Sequence, residues 1–166
     1  MATPSQDPQF FHLPPPPGRS RESTIVLDAQ GRFWHEGELV AHPRLAEAMH
    51  GWIDRHPDNG RFILNNGYDW SYFTVEGTPF FVTTVRDDGE GNLLLVLSDG
   101  TEEPLQGPLV LGEDGALHVQ VKAGDARGPY EARLARHAQT LLGPFLVERG
   151  GSLALRTRAG EIPVPA

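Results

Sequence analysis

The sequence predicts an α+β fold of two related halves, each with a β-hairpin, an amphipathic helix and further short strands. Glycine turn signals of the Asn-Gly and Asp-Gly type recur at short intervals, and two segments that start with proline have helical periodicity. The sequence around the first of these segments also resembles that around the second. We expect mostly short antiparallel strands and two helices packed into one compact unit, because neither half could bury a sheet face and a helix stripe alone.

Length and composition favour one globular domain without covalent cross-links. The 166 residues include no cysteine, which excludes disulfides, thiolate zinc sites and a cysteine nucleophile. The net charge of −8 disfavours nucleic acid as a partner. The longest uninterrupted aliphatic run, 93–97, is too short to cross a bilayer, and the first residues lack a signal-peptide pattern. We therefore expect a cytoplasmic protein with no membrane partner.

Composition divides the chain into a tail and two halves. Residues 1–24 are rich in proline, serine and glutamine and show no period of 2 or 3.6, which predicts a disordered proline-rich tail. Residues 25–91 are the predicted N-terminal α+β half and residues 92–166 the C-terminal half, together one globular domain. The aliphatic segment 93–98 is expected to be a strand that bridges the halves.

Two segments carry the periodicity of an amphipathic helix. In residues 43–56 the apolar side chains recur at spacings of three and four, after a proline suited to a first helical turn. Residues 129–142 repeat this pattern, again with proline at the front and with Gly143-Pro144 as a stop signal. We predict a helix over each segment.

The surroundings of the two helices form a predicted internal repeat. Residues 25–36 (IVLDAQGRFWHE) and 109–120 (LVLGEDGALHVQ) align without gaps, and each predicts a β-hairpin with glycine at its seventh position. Each hairpin precedes one helix, with an offset of 84 residues between the hairpins. The strands predicted after the helices lie at 61–64, 72–76, 144–147 and 153–158.

Five segments resemble the bacterial domain-of-unknown-function family 1285 in order and spacing. They are DAQGRFWHEG (28–37), HPRLAEAMHGWIDR (42–55), YFTVEGTPF (72–80), LLLVLSDGTEE (93–103) and EARLARHAQTLL (131–142). The glycine-aromatic-His-Glu-Gly run and the Val-Glu-x-x-Pro-Phe run are the most specific parts. The resemblance implies an α+β fold with a repeated structural unit, a bacterial cytoplasmic setting and a role in ligand sensing or signal transduction. It implies no established reaction.

The first candidate site is the run Trp34-His35-Glu36. On a strand, Trp34 and Glu36 share one face and His35 points to the other, so the three converge only if the turn at Gly37 bends the chain. A histidine beside a carboxylate can act as a general base or orient a ligand. The alternative is structural, with the histidine holding the hairpin end through the backbone.

The second candidate site is a group of basic side chains on the second predicted helix. Arg133, Arg136 and His137 are spaced by three and four residues, and arginine is well suited to binding a phosphate or carboxylate. Residues 115–166 hold seven basic and four acidic residues, whereas residues 86–114 hold eight acidic and one basic. The alternative is therefore a solvated basic face that balances an acidic stripe of the same chain.

No motif for catalysis, a cofactor or a metal stands out. The sequence lacks a helical His pair, a nucleophile elbow and a phosphate-binding glycine loop, and its only lysine, Lys122, lies in a strand pattern. We therefore predict a non-catalytic regulatory or signal-transduction module with no metal or cofactor, which binds a small anionic ligand between its two halves. The alternative is a protein-interaction adaptor that uses the acidic stripe or the proline-rich tail.

Overall fold

A computed structural model describes residues 4–166 and shows two compact units, unit 1 (Met1–Pro79) and unit 2 (Phe80–Ala166). The predicted α+β class is confirmed: within the described residues, short strands form three sheets accompanied by two α-helices. In that part of the chain, no helix has the length and apolar character that crossing a membrane requires.

Unit 1 contains a six-stranded sheet and one helix. Its strands are β1 (Glu22–Leu27), β2 (Phe33–His35), β3 (Glu38–Leu39), β4 (Ile53–Arg55), β5 (Phe62–Asn65) and β6 (Trp70–Val75), and helix α1 is Pro43–His50. The spatial order is β3-β2-β1-β6-β5-β4, so one meander runs outward from the centre and the second runs back to it. The two meanders meet at the parallel pair of β1 and β6.

Unit 2 contains a second six-stranded sheet with the same connectivity. Its strands are β7 (Phe80–Asp87), β8 (Leu93–Leu97), β9 (Glu102–Pro104), β10 (Leu109–Leu111), β11 (Leu117–Val121) and β12 (Tyr130–Leu134). The order is β10-β11-β12-β7-β8-β9, with β7 and β12 as the central parallel pair. Helix α2 (Arg136–Thr140) follows, and β13 (Leu146–Arg149), β14 (Ser152–Thr157) and β15 (Gly160–Pro163) form a third, antiparallel sheet.

The structure confirms a repeat of two halves, but the strands that correspond in the two halves are not the predicted ones. Both aligned hairpins exist, because β1 pairs with β2 and β10 pairs with β11. However, β1 lies at the centre of its sheet, whereas β10 lies at an edge. The topological equivalents are β1–β6 and β7–β12, so the predicted offset of 84 residues is wrong. The strand-turn-strand pattern recurs in every hairpin and does not reveal which hairpins correspond.

Both predicted helices are shorter than expected. Helix α1 ends at His50, and the rest of segment 43–56 includes β4, which pairs with β5. In segment 129–142 the correction is larger, because β12 occupies residues 130–134 and α2 only 136–140. The side chains of β12 alternate between buried and more exposed positions, as a strand between two neighbouring strands requires.

The unit boundary differs from the predicted boundary between residues 91 and 92. Strand β8 pairs with β7 and β9, which both belong to unit 2, so the segment 93–98 is an internal strand of that unit and does not bridge two halves. A boundary after residue 91 would cut the β7–β8 hairpin, whereas the division after Pro79 leaves it intact.

The N-terminal segment is ordered from residue 4 onward, in contrast to the predicted disordered tail. A short 3-10 helix spans Pro8–His12, and its Phe10 and Phe11 are buried against Ile63 and Trp70. The composition of residues 1–24 suggested disorder because an average over the segment hides these two adjacent aromatic residues. The part of the prediction that concerns residues 1–3 lies outside the described residues.

Candidate functional site

Unit 1 contains a cavity of about 580 Å³. This volume lies in the usual range for small-molecule sites. The cavity has a partly apolar wall, formed by Ile25, Leu45, Met49, Trp52, Leu64 and Trp70. Its polar groups include Arg19, His35 and Glu36. The cavity therefore combines an apolar wall with many polar and charged groups, so a ligand there could contact both kinds of surface.

The turn between β2 and β3 places His35 and Glu36 at the cavity. His35 is paired with Glu38, so Glu36 and Gly37 are the two turn residues, with φ angles of 53° and 79°. Two positive φ angles are typical of a type I′ turn, which here takes Glu36 out of the strand alternation. The Glu36 N–H donates to Oγ1 of Thr24 at 3.1 Å. The bend considered at Gly37 thus occurs, and both side chains line the same cavity.

Trp34 does not line this cavity and has a structural role. Its indole N–H donates to the Asp28 carboxylate at 2.8 Å. That carboxylate also accepts the N–H groups of Gln30 and Arg32 and the Arg32 Nε–H. Burial opposes ionisation of Asp28, but hydrogen bonds from Trp34 and Arg32 outweigh burial and lower its pKa. The structure therefore separates Trp34 from His35 and Glu36.

Arg21 connects the N-terminal segment to the cavity wall. One terminal nitrogen of its guanidinium donates to the Asp69 carboxylate and to the Trp70 carbonyl, and the other donates to the carbonyls of Leu13 and Pro14. The guanidinium carbon also lies 4.3 Å from the centre of the Trp70 ring. Both terminal nitrogens are thus occupied by the protein itself, and Arg21 is a structural residue of the cavity.

Side chains of the sheet hold the rest of the N-terminal segment in place. The side-chain amide of Asn65, which is fully buried, accepts from the Ser5 N–H and donates to the Ser5 carbonyl, each at 3.0 Å. The Trp70 indole N–H donates to the Phe10 carbonyl at 3.1 Å. The N-terminal segment then continues to Arg19 at the cavity. The sequence signals for this arrangement were the two phenylalanines and an asparagine directly after the predicted strand 61–64.

The buried His56 forms another contact with the N-terminal segment. Its Nδ1 accepts the N–H of Asp58 at 3.1 Å, so the ring proton belongs on Nε2, which lies 3.1 Å from the Phe11 carbonyl. Both ring nitrogens are therefore used in holding structure. His56 is not available as a general base.

The predicted group Arg133, Arg136 and His137 lies in unit 2 and is not one helical face. Arg133 is on β12, and its Nε–H donates to the Asp114 carboxylate at 2.6 Å. Arg136 and His137 are exposed residues of the short helix α2. The structure thus engages Arg133 in an ion pair within unit 2, as the alternative of a charge-balancing face predicts.

His118 lies beside this ion pair. Its Nδ1 is 2.6 Å from a carboxylate oxygen of Glu131, and its Nε2 is 3.1 Å from one of Asp114. The N–H of Ala116 and the side chains of Arg133 and His118 together outweigh burial and lower the pKa of Asp114 to about 2. Because both ring nitrogens of His118 face carboxylates, the cluster forms a closed structural network.

Lys122 forms an ion pair at a second, smaller cavity of about 350 Å³ in unit 2. Its Nζ lies 2.8 Å from the Asp99 carboxylate and 3.2 Å from the Thr101 hydroxyl. The ammonium group is thus engaged, which disfavours a role as a nucleophile. Among residues 4–166, no group of three or more His, Asp and Glu side chains is placed to hold a metal ion.

Comparison with known proteins supports the fold. No protein-family model and no curated protein matches the chain. A DUF1285 family protein from Silicibacter pomeroyi DSS-3 superposes with a TM-score of 0.68 at 19% identity, covering 98% of this chain and 90% of that one. A second, from Shewanella baltica OS155, gives 0.55 at 16% identity and covers 75% and 94%. Both bear only the family name, which assigns no reaction. The chain therefore has a DUF1285-like fold, as its sequence resemblance implied.

Proposed function

We propose that the chain is a non-catalytic regulatory module that binds a small molecule in the cavity of unit 1. The cavity itself carries this proposal, because its volume of about 580 Å³ is typical of ligand sites and its lining offers both an apolar wall and polar side chains. His35 and Glu36 line it from a turn whose geometry is fixed by the hairpin and by the Thr24 hydroxyl. A site built on such a rigid turn is suited to recognition.

The side chains at the cavity support binding more than chemistry. A general base needs a partner that orients it toward a nucleophile, and the side chain of His35 has no such partner within residues 4–166. The better-connected histidines, His56 and His118, use both ring nitrogens in structural contacts.

The N-terminal segment gives the proposed module a route for regulation. Pro16 and Arg19 line the cavity, and the same segment is held on the sheet by hydrogen bonds from Asn65 and Arg21. A ligand that contacts the segment would therefore stabilise its docked position. This coupling would convert ligand binding into a change in the accessibility of the segment.

A thermal-shift screen of uncharged, cationic, anionic and zwitterionic small molecules tests the proposal. A ligand at a hundredfold excess over its Kd adds about 2.7 kcal/mol, which raises the melting temperature by several degrees. Ser71→Trp would fill the cavity, whereas Thr74→Trp on the same strand lies outside it and is the matched control. We expect the shift to vanish in the first variant only. A screen without a shift, or a shift retained by Ser71→Trp, contradicts the proposal.

The protein-interaction adaptor remains a second proposal with less support. Within the acidic stripe 86–114, Glu102 pairs with Arg86, and Asp99 and Asp114 pair with basic residues of unit 2. In the proline-rich segment, the carbonyls of Leu13 and Pro14 accept from Arg21. Both surfaces are thus partly used within the chain. Capture of a partner protein that depends on either surface would favour the adaptor.

A further inference from the structure

We infer that the cavity of unit 1 selects a zwitterionic molecule with an apolar body, of which an apolar α-amino acid is the simplest case. The inference rests on the proposed function and adds the chemical class of the ligand. It follows from the charges that line the cavity, from those already paired within the protein, and from the apolar wall.

Most charged groups at the cavity are paired within unit 1. Arg21 is bound to the Asp69 carboxylate and to three backbone carbonyls. Glu22 accepts two hydrogen bonds from Arg61, at 2.7 and 2.9 Å. These pairs contribute little net charge toward a ligand, and Arg21 has no terminal nitrogen left for an anion.

Two full charges at the cavity remain without an ion-pair partner among residues 4–166. Arg19 and Glu36 both line the cavity, and neither side chain is engaged in a salt bridge or hydrogen bond there. Arg19 follows a turn closed by its own N–H and the Pro16 carbonyl at 3.0 Å. Glu36 is fixed by the β2–β3 turn. The cavity therefore offers one positive and one negative group, on two different segments.

This arrangement disfavours a ligand with a single charge. An anion would be attracted by Arg19 but repelled by the carboxylate of Glu36, and a simple cation would be attracted by Glu36 but repelled by Arg19. The net charge of −8 further disfavours an anion. A zwitterion can place its ammonium group near Glu36 and its carboxylate near Arg19. This ligand class differs from the anion that the sequence predicted from its arginines.

The apolar wall sets the expected character of the ligand body. Met49 and Leu64 are buried side chains at the cavity, and Trp52 adds an aromatic surface. The indole nitrogen of Trp52 is buried and donates no hydrogen bond within the described chain. An aromatic or long aliphatic body would remove its own apolar surface from water against these residues.

Binding of four molecules with one shared indole body tests the inference. Isothermal titration calorimetry compares tryptophan, tryptamine, indole-3-propionate and the uncharged indole-3-propanol on the full chain. We expect tryptophan to bind the wild-type protein most tightly. Because each partly exposed charge contact has a modest strength, we expect the loss of one contact to weaken binding about fivefold.

Charge-removing variants assign each contact to its residue. Glu36→Gln should weaken the binding of tryptophan and tryptamine but not that of indole-3-propionate. Arg19→Gln should weaken the binding of tryptophan and indole-3-propionate but not that of tryptamine. The matched controls are Glu38→Gln in the same hairpin and Arg44→Gln on α1, both exposed and outside the cavity lining. All four substitutions lie at exposed positions, and a melting curve for each verifies that it folds.

The outcomes separate the inference from the proposed function. If a singly charged or uncharged probe binds the wild type as tightly as tryptophan, or if each variant weakens all probes equally, the inference is overturned and ligand binding stands. If no indole probe binds but the thermal-shift screen finds another cavity ligand, the inference is again overturned alone. If neither experiment finds a ligand, both fail.

Discussion

The indole N–H of Trp34 donates to the Asp28 carboxylate across the first hairpin, over a distance of 2.8 Å. Asp28 begins the turn after β1 and Trp34 lies on β2, so the bond links the turn to the second strand of the hairpin. The Asp28 side chain is almost fully buried and accepts three further hydrogen bonds from the turn. This single carboxylate thus organises the turn and orients the tryptophan.

We expect Asp28→Ala to destabilise unit 1 by about 2–3 kcal/mol. The substitution removes a charged acceptor and leaves two partly buried N–H groups of the turn without a partner. Urea unfolding followed by tryptophan fluorescence measures the change. Asp28→Asn, which keeps one carbonyl oxygen as an acceptor, should lose less stability than Asp28→Ala. Equal stability of Asp28→Ala and wild type would refute this role.

Trp34→Phe separates structure from ligand binding. The variant keeps an aromatic ring but removes the hydrogen bond to Asp28, so we expect a loss of about 1 kcal/mol in unfolding free energy. Because Trp34 does not line the cavity, the affinity for any ligand bound there should stay at the wild-type value. A strong loss of ligand affinity with unchanged stability would show that Trp34 contributes to ligand binding.

The N-terminal segment is expected to be part of the stable core of unit 1. Phe11 is 3% exposed and packs near His56 and Phe10, so Phe11→Ala should reduce stability by about 3 kcal/mol. His12→Ala at the neighbouring exposed position is the control and should have a small effect. Thermal unfolding measures both variants. Wild-type stability in Phe11→Ala would restore the prediction of a disordered tail.

The sequence predicted the hairpins well because their signal is local. An aliphatic run, a polar turn with glycine and an alternating segment suffice to predict β1–β2 and β10–β11, and both hairpins formed. The segment 129–142 misled for a geometric reason: side chains four residues apart share a face on a helix and also on a strand. Tyr130, Leu134 and Ala138 satisfy both patterns and are all buried. Only the pairing of residues 130–134 with the neighbouring strands β7 and β11 makes this part of the segment a strand.

The candidate site was predictable only where local geometry decided it. The Glu36-Gly37 turn was visible in the sequence, and it brings His35 and Glu36 to one cavity. The partners of Arg133 and Arg21 were not visible, because Asp114 and Asp69 lie 19 and 48 residues away along the chain. Which charged residues remain unpaired therefore depends on tertiary contacts.

Lys122 and Asp99 form an ion pair whose rupture should be strongly destabilising. Their side chains are 12% and 8% exposed, and Nζ lies 2.8 Å from the carboxylate. Burial raises the pKa of Asp99, but hydrogen bonds from Lys122 and Thr101 outweigh it and leave the pKa lowered. Lys122→Met leaves this carboxylate buried without its cation, so we expect a loss of about 3 kcal/mol.

A double variant distinguishes the ion pair from simple packing. Lys122→Met combined with Asp99→Asn has no uncompensated buried charge, so it should recover part of the stability lost by Lys122→Met alone. Chemical unfolding of the wild type, both single variants and the double variant gives the coupling energy. Strictly additive effects would contradict an ion pair that matters for stability.

Asp114 should make the stability of unit 2 sensitive to acid. The Ala116 N–H, Arg133 and His118 lower its pKa from 3.8 to about 2 in the folded protein. Because the folded pKa is below the unfolded one, ionised Asp114 stabilises the fold above pH 3.8, and this contribution is lost as the pH falls from 3.8 toward 2.

Asp114→Asn tests this acid sensitivity through the difference from wild type at each pH. At pH 6 we expect the variant to be less stable by about 1 kcal/mol, a modest value because the carboxylate is 39% exposed. The difference should shrink between pH 4 and pH 2.5, since protonation removes the same charge from the wild type. Urea unfolding at these pH values measures it, with Glu113→Gln, an exposed neighbour, as the control. A difference that stays constant down to pH 2.5 would show that the Asp114 charge does not stabilise unit 2.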